Sequence, residues 1–450
     1  MNPDRDTIAA LATPVGTSAV AVVRASGPAC RDLAAQLARQ SVVPRRAVYC
    51  DYLGCGGALV DDVLLTYFQG PHSYTGEDSL EISCHGNPFI AQRIVEDLLA
   101  RGCRSAQAGE FTQRAFLNGR LDLSQAEAVM DVIRARSERA LNSAQRQLRG
   151  ALGARMEAMI ERLVSLLARV EAYIDFPEED LPPEDRGWLE GEIERLGSET
   201  RQLRATSRYG DILRDGLKTV IVGRTNAGKS SLLNRLVGSE RAIVSAEPGT
   251  TRDFIEECIV VGPHCLRLID TAGFNTEATG VERLGIERTR KLAERADLVL
   301  RVIDITRWED VAGDLAEYAD EPATMIVVCN KADLATPLQR QGAVAAGACV
   351  VSAATGEGLD DLSGAIARFA DGFKPRDNED EIAINARHAE ALARAQEGLA
   401  AAGDKLRSGV AVELVASDLR EVLAAYGDIG GRIDNERVLD SLFASFCIGK

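Results

Sequence analysis

Apolar and polar positions alternate with different periods along this chain, and the changes of period divide it. Residues 7–121 hold short runs rich in β-formers, Ala19-Val20-Ala21-Val22-Val23, Val63-Leu64-Leu65-Thr66-Tyr67 and Leu80-Glu81-Ile82-Ser83, set between glycine-marked turns, with one helical segment over residues 90–99. That mixture predicts a compact α+β domain over residues 1–121. From Ser124 to Tyr173 apolar residues recur three and four apart (Ala126, Val129, Met130, Ile133; then Leu163, Leu166, Leu167, Val170), which predicts long helices. Prolines and acids at residues 176–183 interrupt them, and a further helix is expected over residues 188–207. Residues 217–370 change to apolar strand-like runs alternating with amphipathic segments, the pattern of a parallel sheet covered by helices. Helical periodicity returns from Ile382, after the polar linker Lys374-Pro375-Arg376-Asp377. The expected organisation is an N-terminal α+β domain (1–121), an all-α domain in two parts (122–214 and 377–450), and an α/β domain (215–376) inserted between those parts.

Chemistry enters with the third stretch. Leu217-Lys218-Thr219-Val220-Ile221-Val222 reads as a strand and leads into Gly223-Arg224-Thr225-Asn226-Ala227-Gly228-Lys229-Ser230 and then a helix beginning with Ser231, which is GxxxxGKS in its strand–loop–helix setting. Glycines let backbone amides wrap phosphate oxygens, Lys229 can bridge the β- and γ-phosphates, and Ser230 can ligate Mg²⁺. Downstream, Asp270-Thr271-Ala272-Gly273 ends a second strand, where the aspartate can hold Mg²⁺ through water and the Gly273 amide can sense the γ-phosphate. Asn330-Lys331-Ala332-Asp333 ends a third strand, and the Asp333 carboxylate matches the two N–H donors of guanine; adenine would leave it unpaired. Ser352-Ala353-Ala354 follows a last strand and is placed to pack on the base. The order and setting of these motifs exclude an ATPase. Residues 245–253, Ser245-Ala246-Glu247-Pro248-Gly249-Thr250-Thr251-Arg252-Asp253, are the first switch candidate, with Thr251 a second Mg²⁺ ligand. Phe274 stands where many small GTPases have a water-orienting glutamine, so another device must serve hydrolysis. Glu282 is either a solvated helix carboxylate or a group orienting water through an intermediary.

Bulk composition narrows the partners. A net charge of −16 over 450 residues argues against a protein that coats nucleic acid, so any RNA contact is expected to be local. No run is long and apolar enough to span a bilayer, and the acidic N-terminus does not read as a secretory leader; a cytoplasmic protein without a membrane contact is expected. Ten scattered cysteines without a CxxC pair suggest neither disulfide frame nor zinc site.

The chain as a whole resembles the MnmE (TrmE) family of tRNA-modification GTPases. The residues that carry this are Asp6-Thr7-Ile8-Ala9-Ala10 with Val23-Arg24-Ala25-Ser26-Gly27; Tyr74-Thr75-Gly76-Glu77-Asp78 with Glu81 and His85-Gly86; Gly109-Glu110-Phe111-Thr112 with residues 115–123; the phosphate loop through Asn234; Gly249-Thr250-Thr251-Arg252-Asp253; and the terminal Cys447-Ile448-Gly449-Lys450. The resemblance implies a homodimer built through a folate-binding N-terminal domain, and a heterotetramer with the FAD-binding protein MnmG, which together modify C5 of the wobble uridine in certain tRNAs. It implies a GTP site of Asn226, Ala227, Gly228, Lys229, Ser230 and Ser231, residues 245–251, residues 270–273, Asn330, Lys331, Asp333 and residues 352–354, with Lys229, Thr251 and Glu282 catalytic. K⁺ would lie on Asn226, Ser245, Glu247 and Thr250, in the role of an arginine finger. A 5-formyl- or methylene-tetrahydrofolate would be held by Arg24, Glu81, Arg120 and Lys450, with Cys447 a thiol near it. Read singly, those four charged residues are ordinary salt-bridge residues and Cys447 an ordinary buried thiol. Two positions depart from the family pattern, Thr225 for a common proline and Arg120 for a lysine in some relatives. A ribosome-assembly GTPase would need a basic RNA-binding appendix that residues 382–450 do not supply, and a GTP-gated interaction module with a dead folate site stays open until folate binding is measured.

Overall fold

The computed structural model describes residues 6–175, 183–239, 257–269, 296–307, 324–374 and 382–431, with Phe446 and Gly449. The chain divides into two compact units: Met1–Met130 with Gln147–Ala158 and Tyr426–Lys450, and Asp131–Arg146 with Met159–Ala425.

In the first unit, strands β1 (Ile8–Leu11) and β2 (Val20–Ser26), helix α1 (Cys30–Ala38), β3 (Val48–Leu53), β4 (Leu59–Phe68), β5 (Ser79–His85), helix α2 (Pro88–Ala100) and the short β6 (Arg104–Ser105) form a six-stranded sheet ordered β3-β4-β5-β2-β1-β6. All pairs are antiparallel except β1 with β6. Period-2 patterning decides which face α1 and α2 cover: Leu80, Ile82 and Cys84 of β5 and Val23 of β2 are buried in one core with Leu33 and Leu37 of α1 and Ile94 and Leu98 of α2. Arg24 and Glu81, one step along their strands, belong to the opposite face and lie directly across from each other in the β2–β5 register. Asn87 caps α2 by accepting from the Phe89 amide, and Pro88 fits the first turn because it has no N–H to satisfy there. Helix α3 (Glu110–Leu117) follows, and α4 (Leu123–Arg134) starts on Asp122, whose carboxylate accepts from Gln125 N at 2.8 Å while Gln125 Oε1 accepts from Asp122 N at 2.9 Å.

The long helices expected from Ser124 to Tyr173 are α4, α5 (Glu138–Leu148) and α6 (Ala151–Asp175). Ser137 Oγ accepts from Ala140 N at 3.2 Å at the start of α5, and Gly150, at φ 86°, takes the left-handed turn before α6. The helix expected from residue 188 begins earlier, as α7 (Pro183–Ala205), and a separate α8 (Ser207–Asp215) reaches the next sheet. That sheet comprises β7 (Leu217–Val222), β8 (Glu257–Val261), β9 (His264–Leu268), β10 (Leu298–Asp304), β11 (Met325–Asn330) and β12 (Cys349–Val350), with helices α9 (Lys229–Ser239), α10 (Pro337–Ala345) and α11 (Leu359–Asp371). Its order is β12-β11-β10-β7-β9-β8, parallel throughout except for the edge strand β8. The central β7 buries four of its six residues, as a parallel strand covered on both faces must. Helices α12 (Ala386–Arg407) and α13 (Val412–Gly430) complete the helical part, α12 running alongside α7. Among the described residues, no helix is long and apolar enough to cross a membrane.

Candidate functional site

The phosphate loop is shaped by three residues in the left-handed region: Gly223 (φ 152°), Asn226 (φ 66°) and Gly228 (φ 90°). Two of them also tolerate no side chain, because a Cβ on Gly223 would stand 2.1 Å from the Val302 carbonyl oxygen of β10 and one on Gly228 would stand 2.2 Å from Asn330 Nδ2. The loop therefore hugs the carboxyl ends of β7 and β10 and opens onto the first turn of α9, where Ser230 and Ser231 are exposed. Lys229 folds back over it, donating from Nζ to Gly223 O at 2.8 Å and Arg224 O at 3.0 Å. Burial lowers the pKa of its ammonium, a cost that a phosphate anion would reverse.

Asn330 ties this loop to the two behind it. Its Nδ2 donates to Ala227 O at 3.0 Å, and its Oδ1 accepts from Ala353 N at 3.0 Å. Asp333 is held at the mouth by Ser352 Oγ, which donates to Oδ1 at 2.6 Å. Lys331, itself left-handed at φ 67°, donates to Asp304 Oδ2 at 2.6 Å. Desolvation would raise the Asp304 carboxyl, but Lys331 and the Thr306 hydroxyl and amide outweigh it and hold the group below its ordinary value. Asn226, Ala227, Gly228, Lys229, Ser230, Ser231, Asn330, Lys331, Asp333, Ser352, Ala353 and Ala354 are thus brought to one edge of the sheet. Asp304 was not singled out from the sequence; its only signal there is its place at the end of an apolar run. Ser245, Ala246, Glu247, Pro248, Gly249, Thr250, Thr251, Asp270, Thr271, Ala272, Gly273 and Glu282 lie outside the described residues, as do Phe274, Arg252 and Asp253.

On the face of the first sheet opposite α1 and α2, Arg24 donates from Nε and Nη2 to Glu81 Oε1 at 3.0 and 2.9 Å, in a pair with side chains 22% and 33% exposed. The Arg24 guanidinium lies 5.4 Å from the centre of the Tyr74 ring and 5.7 Å from that of Phe111, and Tyr74 Oη meets Thr112 Oγ1 at 2.9 Å. Both Arg24 bonds end on one carboxylate oxygen, which leaves Oε2 for an incoming donor. Arg120 is exposed and its stem runs beside Gly76, where an added Cβ would meet its Cγ at 3.2 Å. Lys450 and Cys447 lie outside the described residues, but two neighbours place the chain end in this unit. Phe446 is buried with Ala126 and Met130, and Gly449, at φ 96°, lies so close to β1 that a Cβ would stand 2.2 Å from Leu11 O. The aromatic flanks Tyr74 and Phe111 were not assigned from sequence, since nothing in their spacing aims them at Arg24.

A phosphate-cradling loop, tied through an asparagine to a carboxylate-bearing base loop on a parallel sheet, defines a P-loop GTP-binding protein. Residues 7–120 match the family described as GTP-binding protein TrmE N-terminus, and residues 123–447 match the MnmE helical domain. A tRNA modification GTPase MnmE of Opitutus terrae is 57% identical over 463 residues, covering 100% of both chains; one of Akkermansia muciniphila is 42% identical over 456 residues, again covering 100% of both. Among solved structures, the G domain of the T. maritima FeoB iron transporter matches 34% of this chain and 98% of its own length at 28% identity, with a TM-score of 0.26. The chain belongs to the MnmE family of tRNA modification GTPases.

Proposed function

We propose that this protein hydrolyses GTP to drive modification of C5 of the wobble uridine in certain tRNAs, as a homodimer acting with an FAD-binding partner. The observation that carries the GTPase reading is the Asn330 bridge, which joins the phosphate loop and the base-reading loop into one pre-shaped cradle. Asp333 would read guanine through its carboxylate, Lys229 would turn from the Gly223 and Arg224 carbonyls onto the phosphates, and Ser230, exposed in the first turn of α9, would hold Mg²⁺ through its hydroxyl. Mg²⁺ and K⁺ supply positive charge against the phosphates when bound. Asn226 fits a K⁺ role, because its left-handed backbone presents an exposed side-chain amide at the loop's lip. Ser245, Glu247 and Thr250 complete that role, Thr251 is the second Mg²⁺ ligand, and Glu282 orients the attacking water. Residues 245–251, 270–273 and 352–354 serve as nucleotide contacts in the same proposal.

The Arg24–Glu81 face supports a tetrahydrofolate site. Glu81 Oε2 suits the amidine edge of a pterin, Tyr74 offers a ring face, and Arg120 with Lys450 offers cations to the glutamate tail. The folate supplies the one-carbon unit when bound, and Cys447 is the thiol nearest that chemistry by its place in the chain. The test is GTP turnover by the full chain in K⁺ and in Na⁺ at equal ionic strength, beside Asn226→Ala. Strong K⁺ stimulation, absent in the variant, supports the mechanism, and equal rates in both salts sink it.

A further inference from the structure

Cys258 lies outside both sites, on the edge strand β8, and its surroundings are unlike those of the other described cysteines. Arg136, from the loop between α4 and α5, donates from Nη1 to its sulfur at 2.8 Å. Arg267 of β9 is directly opposite it in the antiparallel register, and Cys265, paired with Val260, therefore shares that face of the two strands. The thiol is half-buried, so solvent reaches it while the two guanidiniums stay close. We propose that Cys258 is a modification site, a reactive thiolate oxidised by hydroperoxides to the sulfenic acid.

Three features make the chemistry workable. The neighbouring Cys265 thiol, then the guanidinium of Arg136 and the charge of Arg267, outweigh burial and hold Cys258 below its ordinary value, which favours the thiolate. Its lone pair attacks one peroxide oxygen, and the S–O bond forms as the O–O bond breaks. Sulfur is oxidised by two electrons, the peroxide is reduced, and the departing hydroxide takes a proton from solvent and leaves as water. The arginines can also donate to the sulfenate oxygen that results.

The chain supplies its own control in Cys55, which is exposed but is pushed up by its hydrogen bond to the Asp97 carboxylate. The full-length protein is treated with hydrogen peroxide at pH 7, trapped with dimedone and mapped by peptide mass spectrometry. Cys258 is expected to label at least about tenfold faster than Cys55, and Cys258→Ser to remove the early label. Cys55 labelling as fast as Cys258, or an early label undiminished in Cys258→Ser, would overturn the proposal. Arg136→Gln should slow labelling about fivefold or more, and a rate unchanged from that of the original chain would count against it. In the unsubstituted chain the Cys258 rate should level off at a lower pH than the Cys55 rate, whereas a Cys258 rate that climbs with pH in step with Cys55 would show an ordinary thiol and refute the assignment.

Discussion

Asn330 does more than fill a motif position. It is buried, and its amide spends a donor on the phosphate loop and its acceptor on the amide of Ala353, so no rotation satisfies both with a different side chain. Asn330→Ala leaves the Ala353 N–H without its partner in a water-poor place, at a cost of about 1–3 kcal/mol. Nucleotide affinity, read with a fluorescent GDP analogue, is therefore expected to fall at least about tenfold; unchanged affinity would mean that the bridge does not hold the cradle. Gly228 makes the complementary case by volume. Its φ of 90° and the 2.2 Å approach of Asn330 Nδ2 leave Gly228→Ala both strained and blocked, and the same titration should show GDP binding largely lost. Asp333→Asn replaces an acceptor oxygen by a donor amide, so the base loop should now favour xanthine, with its extra carbonyl, over guanine; competition between GTP and XTP reads this directly.

Among elements, the end of β1 is approached closely by a single glycine. Gly449 occupies a left-handed conformation with its Cα pressed on the Leu11 carbonyl at the end of β1, three positions after the buried Phe446. Gly449→Ala is expected to lift the last residues off the sheet while leaving the rest of the unit folded. Carboxypeptidase digestion should then remove them faster, and 5-formyltetrahydrofolate should bind more weakly if Lys450 contributes as proposed. Faster digestion with full folate affinity would separate the anchoring role, which survives, from the ligand role, which does not. Helix ends in this protein follow local rules of the same kind: the Asp122 capping box starts α4, and the Ser137 start of α5 and the Gly150 turn divide the amphipathic stretch that follows into separate helices. Period alone cannot show such breaks, because the apolar stripe continues across them.

At the scale of the whole molecule, the sheet and helical parts of the second unit meet at a buried histidine. His264, at the start of β9 and 1% exposed, lies 3.0 Å from Asp371 Oδ1 at the end of α11, and Arg139 of α5 donates to the same carboxylate. Desolvation lowers the imidazole pKa; Asp371 pulls the other way and the Arg139 charge adds to the lowering. The unfolded chain therefore takes up a proton at a pH where the folded one does not. Stability from this group is present above the unfolded value of about 6.5 and is lost as pH falls through it. Thermal unfolding followed from about pH 7.5 to 5.5 should show a falling midpoint, and His264→Asn should flatten that slope; an equal slope in the variant would place the titrating group elsewhere.

The sequence by itself determined the kind of element in each stretch and the GTP-binding class of the protein. Strand and helix are written in periods of two and about three and a half, and the phosphate loop, its helix and the carboxylate proposed to read guanine are contiguous motifs that depend on local backbone geometry. The tertiary structure alone decided which distant groups meet: Asp304 with Lys331 across 27 positions, Arg24 with Glu81 across 57, Arg136 with Cys258 across 122. No local pattern records those pairings, because each is set by sheet order, register and the cost of leaving a charge without a partner, and these exist only once the chain has closed on itself.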